Sequence, residues 1–474
     1  MKISEPRLNR TVEYLLLSII LVLGIIFIFV VPPFQKADEI AHFLRGVGLS
    51  NGEIICEEDT KGNYYFNIQK KYFKYMENVG AGRIHFNYNE KFFLNDLKSS
   101  EEGYQSEEMT PFYRFCSLPF LAYIPTAISV LIGDLFKSIS LSFYLARIMN
   151  FAIFFVALLW SYNKIKNSKF RWILIAYAMI PMVTHQASAI VYDALQLAVV
   201  PILFALNISF IEEKKIRKRD LWIYFISMFV LLTAKSGYYF LSLLYFLIPR
   251  EKIAKDKKKY FLYTFIYFLL CIISLVVYIK VFSASTLTDF KSNISPIEQF
   301  KYILENPLSF LLVIKNTLGG NIYFYIGSFI GHFGWLDYSI SPITYLLFIL
   351  SWVLLIGQIS KGKDYKKLSS RTLILGLSIF LTVGFIFGSI YLTWNPVGNT
   401  SIVGIQGRYF LILFPFLMLF AIYFMKLFES KKLLRTILLF LFIFYVLFEL
   451  SYVIYKRYYD YSYIKQESSY SMMV

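Results

Sequence analysis

The chain is poor in the residues that soluble enzymes use for chemistry. Only 17% of its 474 residues are charged, and it contains three cysteines and four histidines. The histidines follow no metal-binding spacing, so we predict neither a metal nor a cofactor. A phosphate-binding P-loop, a dinucleotide fingerprint and a nucleophile elbow are also missing from the sequence. These absences argue against the common nucleotide-binding and hydrolase classes.

The few cysteines bear on whether the protein contains a disulfide. Cys56 and Cys116 fall in the same hydrophilic region. A disulfide between them is compatible with a location outside the cytoplasm, where such bonds persist. The small number of cysteines nevertheless favours two lone thiols, which is the state that we expect.

Apolar residues are abundant instead. The chain is 57% hydrophobic and 19% aromatic, and apolar runs of bilayer-spanning length recur along it. The formal net charge is +17, but the basic residues occur in short runs between apolar segments and form no basic aromatic groove. We therefore predict an all-α, multi-pass membrane protein that binds no nucleic acid.

The basic runs predict the orientation of the chain, because positively charged connections stay in the cytoplasm. Four such connections are Lys214–Arg219, Arg250–Lys259, Lys361–Arg371 and Lys426–Arg435. They lead to about eleven crossings. The predicted spans are Tyr14–Val31, Ile139–Trp160, Trp172–Ala187, Val191–Ile211, Leu221–Ala234, Gly237–Ile248, Tyr260–Phe282, Ile340–Gln358, Thr372–Leu392, Arg408–Phe428 and Leu433–Tyr455.

Two more apolar segments would disturb this arrangement if each crossed the membrane. We interpret Leu118–Phe136 as a re-entrant or interfacial helix that is kinked near Pro125. Leu308–Phe333 consists of two short apolar pieces broken at Gly319 and Gly320. If both cross, the total rises to about thirteen spans.

One large hydrophilic segment runs from Pro32 to about residue 115, and the predicted topology places it outside the cell. In this first extracytoplasmic loop, Ala37–Leu49 is predicted to be a short helix at the membrane surface, because its apolar residues recur at helical spacing. We treat the whole chain as one membrane domain with a flexible tail over residues 459–474.

The loop opens with the candidate catalytic residues Asp38 and Glu39, which lie just beyond the first predicted span. On a surface helix, Asp38 and His42 are one turn apart on the same face, so Asp38 can serve as a general base. The alternative is that Asp38 caps the helix and Glu39 complements the helix dipole. Arg45 is a candidate substrate ligand or, alternatively, an interfacial anchor.

A second candidate site opens the predicted span that begins at Arg408. Two glycines bracket Gln406 and allow the backbone to approach a ligand closely. Arg408 offers a planar fork to a phosphate and is followed by Tyr409; the alternative is an interfacial anchor. Lys235, at the tip of an apolar hairpin, requires an anionic partner and is another candidate for the phosphate.

Three further residues map to the same predicted membrane face. They are Asp193, Trp335 and Asp337. Acids, bases and aromatic side chains that converge at one face can form a site for a sugar phosphate. We therefore predict that these residues contribute to substrate binding.

Several motifs together resemble a known family. They are Pro-Pro-x-x-x-x-Asp-Glu-x-Ala-His-Phe-x-Arg from Pro32 to Arg45, Tyr192-Asp193-Ala194, and the pair Gly-x-x-Gly-Trp-Leu-Asp and Gly-x-Gln-Gly-Arg-Tyr-Phe. In this order they resemble the bacterial membrane-protein family DUF2142, which is similar in layout to the GT-C glycosyltransferases. The resemblance implies a GT-C-like fold in a bacterial cytoplasmic membrane, with the active site facing outside.

By the family pattern, Asp38 falls on the catalytic base. Lys36, Ala37 and Ile40 stand at or near places where family members often have proline, so the start of the helix can differ. Glu39 therefore stays open as the alternative base.

The resemblance also implies an activity: transfer of a sugar from a polyprenyl-phosphate carrier to a cell-surface glycan. In the inverting reaction an acceptor hydroxyl attacks the anomeric carbon, a carboxylate takes the proton and the lipid phosphate leaves. Asp38 can supply the carboxylate, and Lys235 with Arg408 the opposing cations. The alternative is a transporter, flippase or polymerase of lipid-linked saccharides, although the chain lacks the paired halves typical of transporters.

Overall fold

The computed structural model describes residues 5–99, 108–113, 116, 119–234, 236–279, 294–360, 370–424 and 446–462. Over these residues the protein is mostly α-helical, as the apolar runs predict. The first helices are α1 Glu5–Phe29, α2 Glu39–Ser50, α3 Lys70–Asn78, α4 Ala81–Phe86, α5 Leu94–Ser99, α6 Ile124–Leu135, α7 Ile139–Lys164, α8 Arg171–Ala178, α9 Pro181–Ala187 and α10 Asp193–Glu212.

The second half of the chain continues in the same way. Its helices are α11 Lys218–Ala234, α12 Arg250–Ile253, α13 Lys257–Tyr278, α14 Pro296–Glu305, α15 Pro307–Ile330, α16 Pro342–Ser360, α17 Ser370–Trp394, α18 Phe414–Phe424 and α19 at 446–458. Three further segments are 3₁₀ helices, namely Phe120–Tyr123, Ser236–Leu247 and Gly407–Leu413.

Several of these helices have the length and composition of membrane spans. Five within the described ranges are long and apolar enough to cross a bilayer: Arg10–Phe29, Ile139–Lys164, Asp193–Glu212, Lys257–Tyr278 and Ser370–Trp394. Shorter apolar helices occupy Phe120–Leu135, Gly237–Leu247, Pro342–Gly357 and Gly407–Tyr423. The fold is therefore that of a helical membrane protein. The five long apolar helices do not by themselves account for the eleven to thirteen predicted crossings.

One predicted span is interrupted by proline. The segment Trp172–Ala187 forms α8 and α9, and Ile180 between them has extended backbone with ψ 117°. Pro181 lacks an N–H group and disfavours a helical conformation in the residue before it. The continuous helix expected here is therefore divided in two.

A proline also determines the structure of the segment Leu118–Phe136, but here it starts a helix instead of interrupting one. Pro125 lies in the first turn of α6, directly after the 3₁₀ turn Phe120–Tyr123. The first N–H groups of a helix have no intrahelical partner, so proline starts a helix at little cost. The predicted kink at Pro125 is wrong: this proline begins the helix.

The helix α15 contains the break that its glycines predict. Its backbone leaves helical geometry at Asn321, where φ is −132°, directly after Gly319 and Gly320. The part of α15 that follows Asn321 packs against the 3₁₀ helix Gly407–Leu413.

The hydrophilic region after α1 folds into helices and a small sheet. Its strands are β1 Glu57–Glu58, β2 Tyr64–Gln69 and β3 Met109–Phe112, which pair antiparallel in the order β1-β2-β3. A second hairpin pairs β4 His332–Phe333 with β5 Tyr338–Ser339. A helix is present over most of the predicted segment Ala37–Leu49, as α2, but nine of its twelve residues are buried, so it is not an exposed surface helix.

The expectation of two lone thiols in this region is wrong. Cys56 and Cys116 form a disulfide, with their Cα atoms 5.7 Å apart across 60 residues of sequence. Cys56 precedes β1 and Cys116 follows β3, so pairing of the strands through β2 brings both ends together. The scarcity of cysteine gave no information about this proximity.

The C-terminal helix α19 returns to the hydrophilic region. The Lys91 ammonium donates to the carbonyl oxygens of Lys456 at 3.0 Å and Arg457 at 3.2 Å. The hydroxyls of Tyr459 and Tyr461 donate to Val30 and Phe92 carbonyls, each at 2.7 Å. Residues 459–462, which we assigned to the flexible tail, are therefore held in place.

Other predictions fall on residues that the structure does not describe. These are Lys235, the connection Lys426–Arg435, residues 361–369 of the connection before α17, the first half of the span Leu433–Tyr455, and tail residues 463–474.

Candidate functional site

Asp38 lies at the mouth of a polar site, immediately before α2. Its backbone is left-handed, with φ 64°, and its carboxylate makes no capping hydrogen bond to α2. Instead it accepts a hydrogen bond from Nη2 of Arg408 at 3.0 Å, although 370 residues separate the two. The Asp38 side chain is 41% exposed and that of Arg408 is 6% exposed. Asp38 is therefore accessible from the surface, and Arg408 is buried next to it.

A glycine sets the position of Arg408. A Cβ atom on Gly407 would lie 1.9 Å from the Tyr325 carbonyl oxygen and 2.5 Å from the Phe329 nitrogen. The amide of Gly407 donates to Oγ of Ser328 at 2.7 Å. Since only glycine allows this approach, the 3₁₀ helix Gly407–Leu413 can pack directly on α15. The next residue, Arg408, is thereby directed toward Asp38.

Arg408 uses few of its N–H groups on the protein. Its hydrogen bond to Asp38 is the one that the described structure shows, and its buried Nε has no partner. The buried Oε1 of Gln406, two residues earlier, also lacks a partner. Burying unpaired polar atoms costs about 1–3 kcal/mol each. A buried guanidinium with unused N–H groups can bind an anion, whereas the Gln406 Oε1, which only accepts hydrogen bonds, suits a hydroxyl donor.

Glu39 has a different environment from Asp38. It is fully buried and accepts hydrogen bonds from Nε and Nη2 of Arg147, at 2.8 and 2.6 Å. The amide of Ile190 also donates to it, at 3.1 Å. Its oxygens are thus occupied by a bidentate arginine and a backbone N–H. Glu39 holds the fold next to the site and is not open to a substrate.

Arg147 is a central residue that we did not select from the sequence. In addition to Glu39, its two Nη atoms donate to the carbonyl oxygens of Ile28, Val31 and Pro32, at 2.6–3.0 Å. The Ile28 carbonyl is in the last turn of α1 and has no partner within the helix, and Val31 and Pro32 follow soon after the helix ends. The available signal was an arginine inside an apolar run, which is expensive without a partner.

Lys36 was also missed. It is fully buried, and its ammonium donates to the Ser188 carbonyl oxygen at 2.7 Å, Ser188 Oγ at 2.8 Å and the His185 carbonyl oxygen at 3.4 Å. These acceptors lie at the carboxyl end of α9, where a cation is favoured. Lys36 therefore anchors the turn that carries Asp38.

His42 and two tyrosines form one wall of the site. The His42 Nδ1 lies 2.5 Å from the hydroxyl of Tyr123, and the two rings are stacked. The ring of Tyr192 meets His42 edge-on, 5.3 Å between centroids. Burial lowers the pKa of His42 to about 4, against the opposing charges of Asp38 and Asp193. His42 is therefore a neutral hydrogen-bonding group near neutral pH, not a cation.

Asp193 is brought to the same place by α10, of which it is the first residue. It is partly exposed and close enough to act electrostatically on both His42 and Arg408. Tyr409 lies beside Arg408, whose guanidinium carbon is 5.8 Å from the centroid of its ring. The structure thus brings together Asp38, His42, Asp193, Arg408 and Tyr409, and Gln406 precedes Arg408 by two residues.

Trp335 and Asp337 make contacts that hold in place the turn preceding Asp38. The indole N–H of Trp335 donates to the Phe34 carbonyl oxygen at 3.0 Å. Asp337 accepts from the Trp335 amide at 3.0 Å and from Nε of Arg457 at 2.6 Å. These contacts hold the turn before Asp38 against the β4–β5 hairpin and α19.

Arg45 lies on α2 three residues after His42 and is close enough to Tyr123 to interact with it electrostatically. Its Nη atoms donate to the carbonyl oxygens of Glu53 at 2.9 Å and Ile54 at 2.7 Å. Arg45 thus fixes the chain that follows α2. Lys235, the second cation predicted for the phosphate, lies outside the described residues.

Comparison with known proteins identifies a family. The family model described as "Predicted membrane protein (DUF2142)" matches residues 21–420. No curated protein matches the chain. The match covers most of the sequence, including Asp38 and Arg408, and the chain belongs to this family.

Proposed function

We propose that this DUF2142 member is an inverting, GT-C-like glycosyltransferase of the bacterial cytoplasmic membrane. It moves a sugar from a polyprenyl-phosphate donor to a cell-surface glycan outside the cell. The observation that carries the proposal is the pair of Asp38 and Arg408, 3.0 Å apart, with further guanidinium N–H groups that no described residue uses. A carboxylate and a cation side by side match the two charges that develop in glycosyl transfer.

Each residue has a distinct part in the proposed reaction. Arg408 binds the lipid phosphate, and Asp38 receives the proton of the acceptor hydroxyl. The acceptor oxygen forms a bond to the anomeric carbon, while the bond from that carbon to the phosphate oxygen breaks. The electron pair of the broken bond leaves with the polyprenyl phosphate, whose negative charge Arg408 stabilises.

The ion pair also suggests an order of events. Without a ligand, Arg408 holds the carboxylate of Asp38. A donor phosphate competes for the same guanidinium, since arginine binds phosphate as a bidentate fork. Arrival of the donor thus releases Asp38 to act as the base.

The sugar would lie against the wall of His42, Tyr123 and Tyr192. This wall combines aromatic faces with hydroxyl and imidazole groups, and Asp193 adds a carboxylate acceptor. Such surfaces suit a ring with an apolar face and several hydroxyls. Asp38 is preferred to Glu39 as the base because the carboxylate of Glu39 is already occupied by Arg147.

We further propose that the Asp38 end of the protein faces outside, with about eleven crossings. In support, basic connections converge at the opposite end of α7, where Lys164 pairs with Asp220 at 2.7 Å and Glu213 at 3.3 Å. Lys252 donates to carbonyls of residues 210, 211 and 213 in the same region. Arg147 and Lys164 are about 25 Å apart along α7, at 1.5 Å per residue.

The test is transfer by purified protein in detergent, with polyprenyl-phosphate sugar as donor. Asp38→Asn keeps the size and hydrogen bonding of the side chain but cannot take a proton, so turnover should fall by at least about 100-fold. Glu58→Gln, at an exposed carboxylate of β1, is the matched control and should retain wild-type turnover.

Detergent also separates the two classes of function. An enzyme forms product without an intact membrane, whereas a transporter or flippase forms none. The contrary result is a wild-type protein that makes no product in detergent and yet is required for lipid-linked saccharides to cross membranes. That result would favour a transporter over an enzyme. Undiminished turnover by folded Asp38→Asn would remove Asp38 from the mechanism.

A further inference from the structure

An apolar cleft opens beside the candidate phosphate site. It has a volume of about 230 Å³ and lies between the end of α15, α16 and the start of the 3₁₀ helix Gly407–Leu413. Its eight lining residues are aliphatic, aromatic or glycine; they include Phe329, Ile349, Trp352, Gly407 and Phe410. The cleft is thus an apolar binding surface without a charged group.

The floor of the cleft is aromatic and fixed. The rings of Phe329 and Trp352 meet edge-on with centroids 6.0 Å apart, and Trp352 lies 4.8 Å from Phe414. Aromatic clusters of this kind bury a large apolar area and keep a defined geometry. On the rim, Ile349 is 40% exposed, so the cleft is open to the surroundings of the helices.

The cleft and the phosphate site share one backbone segment. Gly407 lines the cleft, and the next residue is Arg408, the incompletely bonded arginine that faces Asp38. Because Gly407 packs directly on α15, the wall of the cleft and the guanidinium are held in a fixed relation. A molecule with an anionic head attached to an apolar chain fits both features together.

We propose that this cleft binds the part of the polyprenyl chain nearest the phosphate of the donor. The inference rests on the proposed function and adds to it the location of the chain. Small-molecule pockets usually have about 300–1,000 Å³, so a cleft of this size holds a segment of a long chain and leaves the rest in the bilayer. The cleft therefore selects a chain-bearing phosphate over a soluble one.

Binding of two phosphates to full-length protein in detergent tests the proposal. One is a long-chain polyprenyl phosphate, and the other is methyl phosphate, which carries the same head without an isoprenoid chain. Ile349→Trp fills the cleft and should weaken the long-chain ligand by at least about tenfold. Its affinity for methyl phosphate, which has no chain to place in the cleft, should change much less.

The matched control is Leu350→Trp, the same change at the neighbouring residue of α16, which does not line the cleft. It should bind both ligands as the wild type does. Wild-type affinity of folded Ile349→Trp for the long-chain ligand would overturn the proposal. So would displacement of that ligand by phosphatidylglycerol as effectively as by unlabelled polyprenyl phosphate, because ordinary lipid would then fill the cleft.

Photo-labelling of the wild type covers the case in which Ile349→Trp does not fold. A polyprenyl phosphate with a diazirine near its head should label peptides of α15 and α16, and labelling confined to other helices would overturn the proposal. Failure of the proposed function is a different result: Arg408→Ala would then bind methyl phosphate as tightly as the wild type, whatever the cleft variants do.

Discussion

Four arginines in the described chain are at least nine-tenths buried, and their hydrogen bonds distinguish structural from functional positions. Arg147 and Arg457 engage all three nitrogens, and Arg45 donates to two carbonyls. Arg408 donates once, to a partly exposed carboxylate. Arg45 also has an unpartnered Nε, but Arg408 makes the fewest hydrogen bonds of the four among the described residues. A buried guanidinium with so many unused donors is unfavourable in a purely structural role, so Arg408 is our candidate for binding an anion.

The pair of Glu39 and Arg147 makes a prediction about stability. Glu39→Gln leaves the buried Arg147 without its counter-charge, and loss of one partner of such a pair typically costs about 3–5 kcal/mol. We expect a clearly lower melting temperature for the detergent-purified Glu39→Gln protein, measured by intrinsic fluorescence. Asp38→Asn, at the adjacent but partly exposed carboxylate, should melt close to the wild type.

This comparison also separates two reasons for inactivity. If Glu39→Gln is inactive only because it unfolds, its transfer activity should follow the folded fraction. A Glu39→Gln protein as stable as the wild type would show that Arg147 does not need its counter-charge.

At the scale of elements, the site depends on how two helices approach each other. The 3₁₀ helix Gly407–Leu413 packs on the second half of α15 with no space for a side chain at Gly407. The break at Asn321 gives that half of α15 its own direction. The direction of Arg408 is therefore a property of this helix pair rather than of its local sequence.

Gly407→Ala tests this dependence. The added methyl group would collide with backbone atoms of Tyr325 and Phe329, which cannot move as a flexible side chain can. Such overpacking typically costs about 1–3 kcal/mol. Because the helix pair must separate, we expect protein that still reaches the membrane to lose most of its transfer activity and its affinity for polyprenyl phosphate.

Gly388→Ala is the control for this substitution. Gly388 lies within α17, and a Cβ there would meet no heavy atom within 4 Å. Alanine favours a helix over glycine by about 1 kcal/mol, so this variant should be as active and at least as stable as the wild type. Full activity of Gly407→Ala would show that the close packing does not position Arg408.

For the whole molecule, the first hydrophilic region is joined to distant parts of the chain. The disulfide closes the sheet, and Lys91 and Arg457 connect the region to α19. Trp335 and Asp337 connect the turn before Asp38 to the β4–β5 hairpin. These contacts attach the described part of this region to α19 and to the β4–β5 hairpin.

The proposed orientation can be tested on intact cells. Cys56 and Cys116 are paired and Cys271 is buried, so the native protein offers few reactive thiols. Cysteines introduced at Asn63 and Asn89 should react with an impermeant thiol reagent, and cysteines at Lys257 and Lys366 should react only after lysis. The opposite pattern would place Asp38 in the cytoplasm and exclude the extracellular reaction.

Local pattern in the sequence was sufficient for the helical class, the position of α2 and the choice of Asp38 and Arg408 as candidates. Apolar periodicity reports which segments are helical, because each helix needs one buried face. Proline and the Gly319–Gly320 pair marked where helices begin or break, although the role of Pro125 was misjudged because position within the helix decides its effect.

Partners distant in the chain could be found only in the tertiary structure. The pairings of Asp38 with Arg408, Glu39 with Arg147, and Cys56 with Cys116 join residues 370, 108 and 60 positions apart. Asp38 and Glu39 are adjacent acids that look alike in the sequence. In the structure Glu39 is buried against Arg147, whereas Asp38 is partly exposed. Burial and the arrangement of donors decide what a charged group can do, and both are set by how the helices pack.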